Sequence, residues 1–402
     1  MKVSEEKIAE LVEAVLQEMG KAPAQKKPAG QVPKTAKVAM LTALKKFEVK
    51  EFPIPEIGDD DILVKVEGCG VCGTDVHEWR ADPFGLIPVV LGHEGTGEIV
   101  AMGKNIKEDT QGNPVGIGDK IVTSVAICGE CPMCKLHPEL PNLCEGSKIQ
   151  GLLPDKEKNH LQGWFSTYML IEKGATFFNV SDMTLDQRML IELAAVATHA
   201  VRRGVDTGLM PLGATILIQG LGPVGLMMIA HLKTRGYRNI IAVDGTPMRL
   251  EMAKKFGASH TINFRDYKSI DEKVAYVKSI THGLGADFAF QCTGAPPAAA
   301  EVWKYVRRGG GLCEMGFFVN NGECSINPHF DICQKEITVV GSWTYGALEY
   351  QDTISFVKQC CEIGIPLTDL ITHRYGLDEM NEAMETNVAQ KGIKIAYVNK
   401  EF

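Results

Sequence analysis

Two short segments bring metal-ligating side chains close together in the sequence, and the candidate catalytic residues in them are Cys72, Thr74, His77, His93 and Glu94. A zinc ion that takes part in chemistry is held by mixed sulfur, nitrogen and oxygen ligands and keeps one position for water or substrate. Cys72, His93 and Glu94 offer that mixture. Thr74 and His77 add a hydroxyl and a titrating group nearby. A buried free cysteine beside a core histidine is the alternative, but glycines flank both segments and favour a catalytic zinc site.

A second cluster contains only cysteines, which are Cys128, Cys131, Cys134 and Cys144. The first three are spaced C-x2-C-x2-C. Four thiolates that leave no open position are typical of a structural zinc site. The close spacing also fits an iron–sulfur centre or redox thiols, and spacing alone leaves these alternatives open.

A glycine-rich loop indicates a dinucleotide site. It lies between the apolar β-type run 215–219 and a helical pattern, and its candidate cofactor-binding residues are Gly220, Gly222, Pro223, Val224 and Gly225. Glycines at these positions permit a tight turn and a close approach of a pyrophosphate to the start of the helix. A loop that serves only as a turn is the alternative. The order of strand, glycine loop and helix favours nucleotide binding.

An acidic residue follows that loop at the expected distance. Asp244 ends the run 239–244, nineteen residues after Gly225. Its carboxylate can accept hydrogen bonds from the adenosine ribose and repels a 2′-phosphate, so NAD is favoured over NADP. Arg249 is close enough in sequence to leave NADP open.

The composition is that of a globular protein large enough for two domains. The chain has 402 residues, 45% of them hydrophobic, and a formal net charge of −8. This acidic balance does not predict nucleic-acid binding. No apolar run approaches membrane-spanning length, and residues 1–20 lack the uninterrupted core of a signal peptide. The scattered cysteines fit a reducing cytosol.

The first 36 residues differ from the rest of the chain. Residues 4–19 have apolar side chains at helical spacing and predict a short amphipathic helix that Ser4 can cap. Residues 21–36 are rich in Pro, Ala and Lys and predict an extended linker. We therefore expect residues 1–20 to form a helix tethered to the main fold.

The Cys-Gly-Thr-Asp-x-His element at Cys72 and the Gly-His-Glu element at Gly92 resemble those of zinc-dependent medium-chain alcohol and polyol dehydrogenases. The resemblance runs from about Lys37 to the C-terminus and is strongest for sorbitol, butanediol and threonine dehydrogenases. It implies an α/β fold with a GroES-like β-rich catalytic domain and a Rossmann doubly wound parallel sheet. The implied boundaries are 37–188 for the catalytic domain, 189–335 for the NAD-binding domain and 336–402 for the return to the catalytic domain.

The resemblance also implies roles for individual residues. It assigns a structural zinc to the four cysteines and a catalytic zinc to the first site. Glu192 would reach the catalytic zinc directly or through its water, which leaves open whether Glu94 or Glu192 is the third protein ligand. Thr74 would pass the substrate hydroxyl proton towards the nicotinamide ribose, and His77 would hand it to solvent.

The implied reaction interconverts a small secondary alcohol, diol or polyol and its carbonyl with NAD, in a homo-oligomer that is a dimer or tetramer. Glu78 and Thr344 depart from the sorbitol-type pattern, so a short diol, a hydroxyketone or a cationic amino alcohol stays open. Glu78 is either a solvated loop charge or a pocket carboxylate. Residues 4–19 resemble peptides that direct enzymes into bacterial microcompartments by binding a shell protein or other cargo. An oligomer-stabilising arm or a disordered tail is the alternative.

A catalytically silent scaffold on a dehydrogenase fold is the rival interpretation of the whole chain. Loss of Cys72, His93 or the loop glycines would be its sequence sign, and all are present. Zinc-free quinone or enoyl reductases share the implied fold but lack these ligands. The remaining cysteines lack paired spacing and are expected to be packing residues; they are Cys292, Cys313, Cys324, Cys333, Cys360 and Cys361.

Overall fold

The computed structural model describes residues 32–402. Its strands are β1 (Thr35–Ala43), β2 (Lys46–Pro53), β3 (Ile62–Gly70), β4 (Val89–Val90), β5 (Glu94–Met102), β6 (Lys120–Ser124), β7 (Tyr168–Ile171), β8 (Thr176–Asn179), β9 (Thr215–Gln219), β10 (Asn239–Asp244), β11 (His260–Asn263), β12 (Ala286–Gln291), β13 (Val306–Glu314), β14 (Thr338–Gly341), β15 (Ile371–Tyr375) and β16 (Lys394–Val398). Its helices are α1 (Gly73–Ala81), α2 (Pro132–Leu136), α3 (Leu185–Arg188), α4 (Ile191–Val205), α5 (Pro223–Thr234), α6 (Pro247–Phe256), α7 (Ile270–Ser279), α8 (Pro296–Tyr305), α9 (Tyr350–Glu362) and α10 (Met380–Val388). Single helical turns of other types lie at Pro141–Leu143, Phe264–Asp266, Pro328–Cys333, Ala347–Glu349, Leu367–Leu370 and Leu377–Glu379.

The first domain is β-rich. Its larger sheet has the order β15-β16-β3-β5-β6-β8, with β7 also paired to β3, and β2-β1-β4 form a smaller sheet. Strands β3 and β5 are antiparallel and place Gly70 opposite Glu94. This pairing brings the two predicted metal-binding segments side by side, because one follows β3 directly and the other begins β5.

The second domain is a doubly wound parallel sheet, as predicted. Its strand order is β11-β10-β9-β12-β13-β14, and every adjacent pair is parallel. In β9, Ile216 and Ile218 pack into one hydrophobic core while Leu217 packs into another. Both faces of the sheet are therefore covered, which explains why β9 is apolar throughout.

Two predicted boundaries are wrong. The parallel sheet does not end at residue 335, because Thr338–Gly341 pairs with β13 as its sixth strand and the return to the first domain comes at β15. The β-branched residues in β14 favour this extension. The first strand begins at Thr35, inside the predicted linker, because Ala36 is buried in a hydrophobic core cluster with Val38 and Met40. The predicted helix at residues 4–19 lies outside the described residues.

Helix α4 connects the two domains. It is fifteen residues long, and eleven of these residues are buried, including Glu192 and His199. Such burial on several faces is typical of a helix packed between two layers. Among residues 32–402, no helix combines the length and apolar character needed to cross a membrane.

The packing role expected for the six scattered cysteines holds for only some of them. Cys313 and Cys360 are buried, whereas Cys324, Cys333 and Cys361 are exposed. Cys361 lies on helix α9 directly after a buried residue, so the periodicity of the helix turns it outward. The expectation is wrong for these three residues.

Candidate active site and metal centres

One buried carboxylate holds the two metal-binding segments together. Asp75 Oδ2 accepts the Cys72 backbone N–H at 2.8 Å, which fixes the start of α1. Asp75 Oδ1 accepts the Gly92 N–H at 3.2 Å and lies 3.4 Å from His93 Nδ1. Gly92 has φ +92°, and an added Cβ would meet the Phe165 ring at 2.7 Å, so a side chain cannot replace this glycine. The segment therefore reaches the site through backbone contacts that only glycine permits.

Cys72, His93 and Glu94 form a compact donor set. Their ligand atoms all lie within 4.8 Å of one another. His93 and Glu94 are 5% and 2% exposed, and Glu94 Oε1 makes no hydrogen bond to residues 32–402. Buried polar atoms are normally satisfied, so this cluster of buried ligand atoms fits a metal ion. The mixed sulfur, nitrogen and oxygen chemistry fits zinc.

Glu192 lies near this set but is outside the group of three. Burial raises its pKa to about 7, opposed by the neighbouring His93 and by the nearby Tyr345 hydroxyl. Glu192 is 9% exposed. The geometry groups Glu94 with Cys72 and His93, and it leaves Glu192 as a carboxylate at the border of the site.

A buried lysine completes the charge balance, and sequence reasoning missed it. Lys394 is 2% exposed; its Nζ forms an ion pair with the Glu94 carboxylate and donates a hydrogen bond to the Val71 carbonyl oxygen at 3.0 Å. Burial lowers the pKa of Lys394, but Glu94, Cys72 and Glu192 together outweigh burial and raise it. The sequence does carry one sign of this buried charge, because Lys394 is the single charged residue of the apolar strand β16.

The two predicted relay residues lie on helix α1. Thr74 Oγ1 is 3.7 Å from Cys72 Sγ, at the edge of hydrogen bonding to sulfur. The His77 ring packs edge-on against Phe318, with ring centroids 5.3 Å apart. Burial and the nearby Arg80 lower the pKa of His77, which favours a neutral imidazole. Both residues therefore lie on α1, the helix whose N-cap is Cys72.

Glu78 matches neither of the two sequence-based alternatives. It is fully buried, and its Oε1 accepts the Phe84 N–H at 3.3 Å. Burial, together with Asp82, raises its pKa to about 7. The side chain anchors the loop that follows α1, so the structure gives it an internal role.

The four cysteines form a second donor set, with all sulfur atoms within 4.8 Å of one another. Cys144 Sγ lies 3.5 Å from Cys128 Sγ and 4.0 Å from Cys131 Sγ. Tetrahedral thiolates bound at about 2.3 Å from one zinc stand about 3.8 Å apart. Backbone N–H groups point at the sulfurs and lower the pKa of Cys131 to about 6. This geometry fits one zinc ion better than a larger iron–sulfur cluster.

The glycine loop has the form of a phosphate cradle. Gly220 has φ +91°, and an added Cβ at Gly225 would lie 2.0 Å from the Gly220 carbonyl oxygen. Gly222 caps helix α5, Pro223 and Val224 form its first turn, and the space beside Gly222 is open. The N–H groups of this turn are available to an anion.

Asp244 is tied to that loop. Its Oδ2 accepts the Leu221 N–H and its Oδ1 accepts the Thr246 N–H, both at 2.8 Å. Each carboxylate oxygen keeps a second lone pair for a ribose hydroxyl. Arg249 Nη1 lies 3.9 Å from Asp244 Oδ2, and Arg249 Nε is buried with no hydrogen-bond partner among residues 32–402. Asp244 and Arg249, the two residues predicted to lie at the adenosine end of the coenzyme site, are therefore neighbours.

A cavity of about 430 Å³ lies between the four-cysteine lobe and the parallel-sheet domain. Phe318 lines it and also contacts His77, so the cavity is next to α1. Its other walls include Asn142 and Leu143 from the four-cysteine lobe and the half-exposed Trp343. The lining combines aromatic surface with a few polar groups, as in many small-molecule sites.

Comparison with known proteins supports this assignment of parts. Residues 58–182 match the family described as "Alcohol dehydrogenase GroES-like domain", and residues 223–359 match "Zinc-binding dehydrogenase". The chain is 34% identical to sorbitol dehydrogenase of Bacillus subtilis over 88% of this chain and 94% of that one. It is 30% identical to L-threonine 3-dehydrogenase of Symbiobacterium thermophilum, with 89% and 97% covered.

Solved structures agree with the sequence comparison. An alcohol dehydrogenase from Thermotoga maritima superimposes with a TM-score of 0.84 at 31% identity, covering 91% of this chain and all of that one. The 2R,3R-butanediol dehydrogenase from Bacillus subtilis gives a TM-score of 0.76 at 26% identity, with 91% and 100% covered. The predicted GroES-like and Rossmann-type fold class is confirmed. The chain belongs to the family of zinc-dependent medium-chain alcohol and polyol dehydrogenases.

Proposed function

We propose that this protein oxidises a small secondary alcohol, diol or polyol with NAD and catalyses the reverse reduction of the carbonyl. The observation that carries the proposal is the compact, mixed donor set of Cys72, His93 and Glu94, found in one chain with the open glycine loop at the start of α5. The relatives named sorbitol and threonine dehydrogenase support an alcohol that carries a second polar group.

The residues present fit a catalytic zinc. Cys72 and His93 would hold it together with Glu94 or Glu192. When bound, the ion would polarise the substrate oxygen and lower the pKa of the alcohol. Asp75 contributes by fixing the His93 ring, because its carboxylate lies beside His93 Nδ1 and sets which ring nitrogen carries the proton.

Thr74 and His77 are proposed to move the hydroxyl proton. Thr74 lies next to Cys72 and can exchange a proton between the substrate hydroxyl and the nicotinamide ribose. His77 is half-buried, and its lowered pKa keeps the imidazole free to accept that proton and release it to solvent. Each residue thus has a position and a protonation state suited to a relay.

Coenzyme choice is proposed to depend on Asp244. Its free lone pairs face the adenosine end of the site, where a ribose diol would donate two hydrogen bonds. A 2′-phosphate there would meet a carboxylate of the same sign. NAD is therefore the proposed coenzyme, with Arg249 supplying the residual tolerance for NADP.

A turnover screen tests the proposed function. Purified full-length protein is assayed with C3 to C6 alcohols, diols, polyols and amino alcohols, and with the matching carbonyls, using NAD(H) and NADP(H). We expect NAD-dependent oxidation of at least one diol or polyol and weaker use of simple alcohols. Absence of turnover across the panel in zinc-loaded protein would favour the catalytically silent scaffold.

Residues 4–19 are proposed to target the enzyme to a bacterial microcompartment, where it would recycle a confined NAD pool. The support is the sequence pattern alone, a capped apolar stripe followed by a Pro-rich linker. Residues 1–36 fused to a fluorescent protein should form foci in shell-producing cells. Diffuse fluorescence, unchanged by Leu11→Glu with Val15→Glu, would contradict targeting and leave the arm or tail alternatives.

A further inference from the structure

The four-cysteine lobe touches the cavity wall at one buried side chain. Asn142 precedes Cys144 by two residues and is 7% exposed. Its side-chain amide donates to the Trp343 carbonyl oxygen at 3.0 Å, and Thr344 Oγ1 donates to the Asn142 carbonyl oxygen at 3.5 Å. We call residues 342–349 the wall segment. One turn of the lobe therefore restrains the wall segment at its start.

Helix α4 restrains the other end of the wall segment. His199 Nδ1 lies 2.7 Å and Arg202 Nη2 lies 2.8 Å from Glu349 Oε1. Glu349 Oε2 accepts the Gly346 N–H at 2.9 Å. His199 and Glu349 are 2% and 4% exposed, so water does not replace these bonds.

Asn142 joins these two restraints. Its Nδ2 lies 3.5 Å from His199 Nε2 as well as 3.0 Å from the Trp343 carbonyl oxygen. In the ring tautomer whose Nδ1 donates to Glu349, Nε2 of His199 is a hydrogen-bond acceptor. The two amide hydrogens of Asn142 then have one acceptor each, and replacing the amide by a carboxylate would remove both donors.

The wall segment carries a residue of the proposed active site. Tyr345 is 2% exposed and is a close neighbour of Glu192. Glu192 precedes His199 by seven residues on α4, so the two lie on one face of the helix. A shift of the wall segment would therefore change the contact between Tyr345 and Glu192.

We propose that Asn142 is a positioning residue that couples the metal-bound four-cysteine lobe to the wall segment, which carries Trp343 of the cavity and Tyr345 beside Glu192. A zinc-filled lobe holds the turn Pro141–Leu143 in place, and Asn142 transfers that restraint to the wall segment. Loss of the ion or of the Asn142 amide releases the wall without touching the catalytic donor set. The effect on turnover rests on the proposed function, whereas the effect on the wall segment does not.

Hydrogen exchange of the zinc-loaded, full-length protein tests the structural part. In Asn142→Ala and in the isosteric Asn142→Asp, exchange of peptides covering the wall segment should accelerate about tenfold, the effect of losing one hydrogen bond to a buried acceptor. The exchange rate of peptides covering β9 should not change, and neither should the zinc content of the protein. His137→Ala is the matched control, because His137 pairs with Glu139 at the lobe surface, and it should behave as wild type.

Removal of the lobe zinc tests the coupling. Cys131→Ser should accelerate exchange of the wall segment, and adding Asn142→Ala to it should change the rate less than about twofold, because both changes break one pathway. Additive effects, or unchanged exchange in both Asn142 variants, would overturn the proposal.

Kinetically, Asn142→Asp should raise the substrate KM about tenfold with the NADH Kd unchanged, and accelerated exchange with an unchanged KM would overturn the positioning role. A wild type without turnover would refute the proposed function, and the exchange data would still decide this proposal.

Discussion

Replacing Lys394 by methionine should destabilise the metal-free protein more than any surface lysine replacement. Lys394 and Glu94 are each 2% exposed and form an ion pair inside the catalytic domain. Methionine keeps most of the side-chain volume, so the change removes the charge and its hydrogen bonds with little change in packing. Glu94 is then left as an uncompensated buried carboxylate.

The expected loss follows from that geometry. Breaking a buried pair by removing one partner costs about 3 to 5 kcal/mol, since the remaining charge has neither water nor a counter-ion. Denaturant unfolding of chelator-treated protein should show this difference in the free energy of unfolding. Glu94→Gln with Lys394→Met should recover most of it, because the double variant buries no charge. In zinc-loaded protein the loss should be smaller, because a bound cation compensates Glu94.

Lys400→Met is the matched control. Lys400 pairs with Glu379 at the surface, where its side chain is 65% exposed. Such pairs contribute about 0 to 1 kcal/mol. A loss of less than about 1 kcal/mol for metal-free Lys394→Met, similar to the control, would refute the reasoning that Lys394 neutralises the donor set.

Three other predictions concern the coenzyme domain. Asp244→Ala should lower the preference for NAD, measured as kcat/KM with NAD divided by kcat/KM with NADP. A wild type that prefers NADP would contradict the role given to Asp244 at the end of β10. Gly222→Ala should weaken NADH binding at an unchanged melting temperature, because its Cβ enters open space beside the loop; unchanged affinity would show that the phosphates bind elsewhere. Burial lowers the pKa of His231 to about 4, and its ring stacks on Phe356. The unfolded state therefore binds more protons between pH 4 and 6.5, and stability rises with pH across that window. On acidification from pH 7 to 4, the wild type should lose about 3 kcal/mol more than His231→Phe, and equal losses would contradict a neutral buried histidine.

Much of the candidate site follows from local sequence. Cys72 and His93 are recognisable because the turn after β3 and the start of β5 each require glycines at fixed positions. The phosphate loop is recognisable for the same reason, since strand, loop and helix are consecutive in the chain. Residue types that serve backbone geometry thus give strong signals at short range.

The contacts that sequence reasoning missed are long-range. Lys394 meets Glu94 only because β16 pairs with β3, and no local pattern specifies that pairing. Asn142 meets Trp343 because the lobe folds onto the second domain. Sequence reasoning ends the parallel sheet too early. Strand β14 follows an irregular segment, and its short β-branched run does not by itself show which sheet it joins.

We expect the chain to hold two chemically different zinc ions, of which only the mixed-ligand one is needed for chemistry. Metal analysis of purified wild type, Cys72→Ser and the exposed-cysteine control Cys361→Ser, combined with NADH absorbance assays, tests it most directly. We predict two zinc ions per chain for wild type and Cys361→Ser, both with full turnover. Cys72→Ser should retain about one zinc per chain and lose turnover. One zinc per wild-type chain, together with full activity of Cys72→Ser, would contradict the account.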